Sequence, residues 1–175
     1  MKTKLLTLLI LVLLGVTRAA DAKAPFTLSI TPSDSSVDTR GITMAVRQPR
    51  EFYVVLTNVS NEPQAVWEYW NGWGYQTISF EFTMPNNQRV VISRRPQDFN
   101  KNFPSTFLIP PGEHQVYPVR LDKHWDAGSM FSKLGETSVV VKAIYEVSIT
   151  PESARCKVWT GRVESGSYRF TLERW

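Results

Sequence analysis

From Phe26 onward, apolar residues recur at every second position, and turn-forming residues interrupt them at short intervals. This is the pattern of strands with one face in a core and the other in water. Residues 77–83 carry it most cleanly: Ile78, Phe80 and Phe82 alternate with Thr77, Ser79, Glu81 and Thr83. Val139, Val141, Ala143, Tyr145 and Val147 repeat the alternation, while Val140 and Ile144 make the opposite face partly apolar. A strand apolar on both faces is expected at the centre of a sheet. Tyr168, Phe170 and Leu172 alternate with Ser167, Arg169 and Thr171 and predict a final half-buried strand. Its expected partner is 157–164, through a hairpin turn at Ser165-Gly166-Ser167.

Further strands are predicted at 26–31, 42–47, 51–57, 65–70, 89–93, 105–109 and 115–121. Proline, asparagine and glycine separate them, at Thr31-Pro32-Ser33-Asp34, at 58–63, at Pro85-Asn86-Asn87 and at Pro110-Pro111-Gly112. Pro118 removes a ladder donor, so 115–121 reads as an edge or bulged strand. The only helix-like stretch, 126–134, contains Gly128 and predicts no more than a turn of helix. Many short strands without repeat or linker predict an all-β chain, an immunoglobulin-like two-sheet antiparallel β-sandwich, with 23–175 as a single domain.

The N-terminus has a different pattern. Lys2 and Lys4 precede an apolar run from Leu5 to Val16, and the small residues Ala19, Ala20 and Ala22 follow. Residues 1–22 are therefore expected to be a cleavable signal peptide, with cleavage after Ala22 or Ala19. The run falls well short of the roughly 20 residues that span a bilayer, so no stable membrane span is expected after cleavage. The expected location is outside the cytoplasm, periplasmic or secreted. Residues 1–22 hold Lys2, Lys4, Arg18 and Asp21, so their removal takes the formal charge from +4 to +2. A nearly neutral domain with one isolated Arg94-Arg95 pair lacks the basic stripe a nucleic-acid partner requires. Cys156 is the only cysteine, which leaves burial as a small apolar group or pairing with another chain.

Trp67, Trp70 and Trp73 place three of the six tryptophans within seven residues, with Tyr69 and Tyr75 among them. Such rings either plug the open end of a sandwich or present faces that stack on a sugar or grip a peptide. Arg94 and Arg95 begin an aperiodic stretch, 94–104, read as a surface loop that is either anchored by Phe99 and Phe103 or contacts a carboxylate or anionic glycan. Trp67, Tyr69, Trp70, Trp73, Tyr75, Arg94 and Arg95 are the candidate binding residues. His114 and His124, with Asp122 and Asp126 nearby, match no compact metal-ligand motif. No G-x-S-x-G elbow or phosphate-cradling glycine loop is present, and nothing brings Glu68 and Glu81 together as a carboxylate pair. No catalytic residue, metal or cofactor is therefore expected. Asn58-Val59-Ser60 satisfies the glycosylation sequon and is read as a turn that uses asparagine to close the backbone.

Four segments carry a resemblance to a known family: Phe52-Tyr53-Val54-Val55-Leu56-Thr57-Asn58-Val59-Ser60, Pro110-Pro111-Gly112-Glu113, Val141-Lys142-Ala143-Ile144-Tyr145, and Val158-Trp159-Thr160-Gly161-Arg162-Val163-Glu164-Ser165. Together they resemble exported bacterial immunoglobulin-like sandwiches of the intracellular-proteinase-inhibitor-like type. They cover about a sixth of residues 23–175 and are signals of fold type. The resemblance implies a non-enzymatic domain that meets proteins through its loops or sheet edges, and it assigns no inhibitory residue. The leading expectation is thus an exported protein-interaction module with a partner in the cell envelope or extracellular space. A carbohydrate-binding module using the aromatic segment is the alternative, and an exported enzyme of unrecognised type is the third.

Overall fold

Burial alternates along Ile78–Thr83 as the sequence requires, with Ile78, Phe80 and Phe82 in the interior. The structure, a computed structural model, describes residues 24–33, 42–45, 51–127 and 137–173. The expected signal peptide lies outside these, as does most of the expected helical turn at 126–134. The strands are β1 (Phe26–Pro32), β2 (Ile42–Ala45), β3 (Phe52–Asn58), β4 (Gln64–Trp67), β5 (Ile78–Thr83) and β6 (Arg89–Ser93). They continue with β7 (Thr106–Ile109), β8 (His114–Val119), β9 (Thr137–Val147), β10 (Gly161–Glu164) and β11 (Tyr168–Glu173). Among the described residues two short helices interrupt them, α1 (Gly72–Tyr75) and α2 (Pro151–Arg155).

One sheet has the order β1-β3-β8, the other has the order β2-β11-β9-β5-β6 with β10 also on β9, and β4-β7 forms a separate ribbon. Every pairing of named strands is antiparallel except β2 with β11. The chain is thus all-β and sandwich-like. Phe52 of β3 meets Phe80 of β5 and Phe170 of β11 edge-on, each with ring centroids 5.5 Å apart. Tyr117 of β8 lies 6.1 Å from Tyr145 of β9. These pairs join the inner faces of the two sheets, and burying each phenylalanine contributes about 1.5–3 kcal/mol. β9 lies within the larger sheet, between β5 and β11 with β10, and β8 closes an edge of the smaller one, where Pro118 is tolerated.

The expected hairpin between 157–164 and the last strand does not form. β10 pairs with the C-terminal half of β9, Gly161 opposite Val147, and β11 pairs with its N-terminal half, Tyr168 opposite Val141. Both run along the same side of a strand long enough for two partners. Ser165 continues the ladder through Ala143, its N donating to the Ala143 carbonyl and its Oγ accepting from the Ala143 N, each at 2.9 Å. Gly166 and Ser167 then share the space opposite Lys142, which makes the expected turn a β-bulge. Ser165 also bridges Leu28 of β1, so the bulge lies where the two sheets touch.

Helix α2 starts at a capping box: Thr150 Oγ1 accepts from Ser153 N at 3.1 Å, and Ser153 Oγ accepts from Thr150 N at 2.8 Å. The sequon asparagine, Asn58, is fully buried. Its Nδ2 donates to the carbonyls of Glu62 and Ile109, both at 2.8 Å, and its Oδ1 accepts from the N and Oγ of Ser60 at 2.9 and 2.7 Å. In the folded protein the side chain a glycan would modify is therefore committed to closing the loop after β3.

Candidate binding surface

Asn71 organises the aromatic segment. It is fully buried, and its Oδ1 accepts from Trp73 N at 3.1 Å and Gly74 N at 2.8 Å, capping α1. Its Nδ2 donates to the carbonyl and hydroxyl oxygens of Ser105 at 2.9 and 3.1 Å. Gly72 N donates to Asn102 Oδ1 at 2.8 Å, and Glu68 N donates to the Ser105 carbonyl at 3.1 Å. The loops 68–75 and 102–105 are thereby sewn together. Gly74 is required there, because a Cβ on it would lie 2.2 Å from the Glu68 carbonyl oxygen.

The five candidate rings do not form one platform. Trp67, the end of β4, is in the core at 2% exposure, and Trp73 leans on it with centroids 5.8 Å apart. Tyr69 and Trp70 are 43% and 50% exposed, with the Tyr69 ring edge-on to buried Tyr117 at 6.4 Å. Phe103, on the other sewn loop, is 62% exposed and joins them as a large open ring. Tyr75 takes a separate role beside Arg94.

The Arg94 guanidinium lies 4.7 Å from the centroid of the Tyr75 ring and 5.2 Å from that of Trp125. An antiparallel bridge between Arg94 and Trp125 fixes the arrangement: Arg95 N donates to the His124 carbonyl at 2.8 Å and Asp126 N to the Ser93 carbonyl at 2.9 Å. Gln76 Nε2 donates to the Arg94 carbonyl at 3.1 Å. Phe99 closes edge-on against Tyr75 at 5.5 Å, so one of the expected loop anchors is in place. Arg95 is not part of this stack and approaches exposed Asp126 at 3.8 Å.

Tyr75, Arg94, Pro118, Arg120, Asp122 and Trp125 line a cleft of about 300 Å³. A second depression of about 360 Å³ lies beside Trp67 and Trp73, with Thr77, Glu146, Ser148 and Thr150 around it. The structure therefore divides the seven candidate residues: Trp67 supports the core, Tyr69 and Trp70 form an open rim, Trp73 borders the second depression, Tyr75 and Arg94 belong to the cleft, and Arg95 stands outside it beside Asp126. Arg120 and Trp125 lie far from the aromatic segment in sequence, and no local pattern marked them as its neighbours.

His114 begins β8 and His124 lies in the loop after it, both exposed. Among the described residues no group of three or more histidine, cysteine or acidic side chains is placed to hold a metal ion. None of their helices is long and apolar enough to cross a membrane. Cys156 is partly buried and its thiol faces the Pro104 carbonyl at 3.8 Å.

Deeper in, the hydroxyls of Tyr117 and Tyr145 find no hydrogen-bond partner among the described residues. Burial holds both phenols above their ordinary value, and the proximity of Tyr145 raises Tyr117 further. For Tyr145 the nearby Tyr117 and Thr77 hydroxyls, without reaching bonding geometry, offset part of this rise. No protein-family model matches the chain, and no curated protein matches it.

Proposed function

We propose that this chain is an exported, immunoglobulin-like β-sandwich that binds a partner protein without catalysis, through the loop end carrying Tyr69, Trp70 and Phe103. The observation that carries the reading is the pairing of exposure with rigidity. Three large rings stand open to water on two loops whose backbones are fixed by the buried Asn71. Large rings held in place lose little conformational entropy on binding, which is why aromatic side chains dominate the energetic centres of protein interfaces. Isolated exposed apolar residues need no explanation, but a set of rings on adjoining loops does.

The same geometry weakens the carbohydrate alternative. Trp67 is withdrawn into the core and Trp73 is half-covered by it, so the stacking platform shrinks to Tyr69 and Trp70. The test is affinity capture from the native envelope fraction with the wild-type protein and a Trp70→Ser/Phe103→Ser double variant. The proposal expects a partner protein that the double variant fails to retain. Retention of the same partner by both proteins, or a fluorescence change on oligosaccharide titration with no protein captured, would refute it.

A further inference from the structure

We infer that the cleft between Tyr75 and Trp125 is a carboxylate-binding site, with Arg94 as its fork, that receives an acidic side chain of a partner protein. This rests on the protein-binding reading above and adds a second contact of defined chemistry. Arg94 is half-buried, with Tyr75 and Trp125 both within stacking reach of its guanidinium. Among the described residues no acidic side chain lies within ion-pair distance of it and its guanidinium makes no hydrogen bond. Stacking on the rings uses the flat faces of the guanidinium and leaves its N–H edge as the polar outlet. That edge presents parallel donors matched to the two oxygens of a carboxylate.

The rest of the lining agrees. Arg120 adds a second, exposed cation that has no ion pair among the described residues. The only acid in the lining is Asp122, and its Oδ1 already accepts from His124 N at 2.9 Å. Two arginines against one aspartate leave the cleft cationic, and Pro118 and Trp125 give it apolar walls. A sugar acid is disfavoured by the rings themselves. Arg94 takes the space over Tyr75 and Trp125 where a pyranose would stack, while Phe99 and Phe80 pack against the same two rings at 5.5 and 5.3 Å. A volume of about 300 Å³ is at the low end for small-molecule sites and suits one or two side chains.

The experiment immobilises the purified protein and offers it two pools of end-blocked hexapeptides, identical except that a central position is Glu in one and Gln in the other. The Glu pool should be retained at least about tenfold better, the worth of one charge-assisted bidentate contact. Arg94→Lys keeps the charge but loses the fork and should abolish the preference, as should Arg94→Gln, while Arg95→Gln should leave it intact. Near-UV circular dichroism of each variant confirms that the sandwich is retained. Equal retention of the two pools overturns the inference, as does full preference in Arg94→Lys, which would indicate general charge attraction. Stronger binding of oligogalacturonate than of the Glu pool overturns it in favour of a glycan site. Any of these failures, with capture through Trp70 and Phe103 intact, leaves the protein-binding reading standing.

Discussion

Asn71 Nδ2 donates to the Ser105 carbonyl oxygen at 2.9 Å, joining positions 34 residues apart while the other end of the same amide caps α1. Asn71→Ala removes both functions: the Trp73 and Gly74 amides lose their acceptor, and the Ser105 carbonyl keeps only Glu68 N as a donor. We predict a loss of about 2 kcal/mol, from the cap and one unsatisfied group together, read as a lower urea midpoint. Asn71→Asp keeps the capping oxygen but sets a carboxylate oxygen against the Ser105 carbonyl, and should recover only part of that loss.

Gly74→Ala tests the same junction by crowding. The added methyl would meet the Glu68 carbonyl, a backbone atom with no rotamer to yield. Destabilisation of about 2 kcal/mol or more is expected by thermal melting, with a red shift of tryptophan emission as Trp73 loosens from Trp67.

Asn58→Ala strips four hydrogen bonds made by a buried side chain and should cost about 3 kcal/mol. Folded protein offered to a glycosylating extract should take no glycan at Asn58, measured by intact mass.

Tyr145→Phe and Tyr117→Phe each delete a buried hydroxyl that has no partner among the described residues, so each should be neutral or stabilising in urea titration. The pH dependence has a definite sign. Both phenols titrate higher in the folded state than in the unfolded chain, where the ordinary value is near 10. Above about pH 10 the unfolded chain holds fewer protons on these phenols, so their contribution to stability is flat below that pH and falls as pH rises beyond it. The double phenylalanine variant should show a shallower fall.

Strand existence was legible because period-two burial is local. β5, β9 and β11 follow their alternation, and Pro118 correctly placed β8 at an edge. Partner choice was not legible, since the Ser165-Gly166-Ser167 sequence serves a hairpin or a bulge equally well and the length of β9 decides between them. Helix α2 carries a capping signal at Thr150-Pro151-Glu152-Ser153, but at five residues it is too short to show a helical period. At the candidate surface, sequence located the aromatic segment but not its division into core, rim and cleft. That division depends on Ser105, Tyr117 and Trp125, residues brought in by pairing at long range.

Site-specific photo-crosslinking tests partner binding at the rim most directly. A benzophenone side chain at position 70, introduced in the native host, should give one discrete protein adduct. The same probe at Val91, an equally open position on β6, should not. Adducts of equal yield at both positions, or none at position 70, would contradict the account.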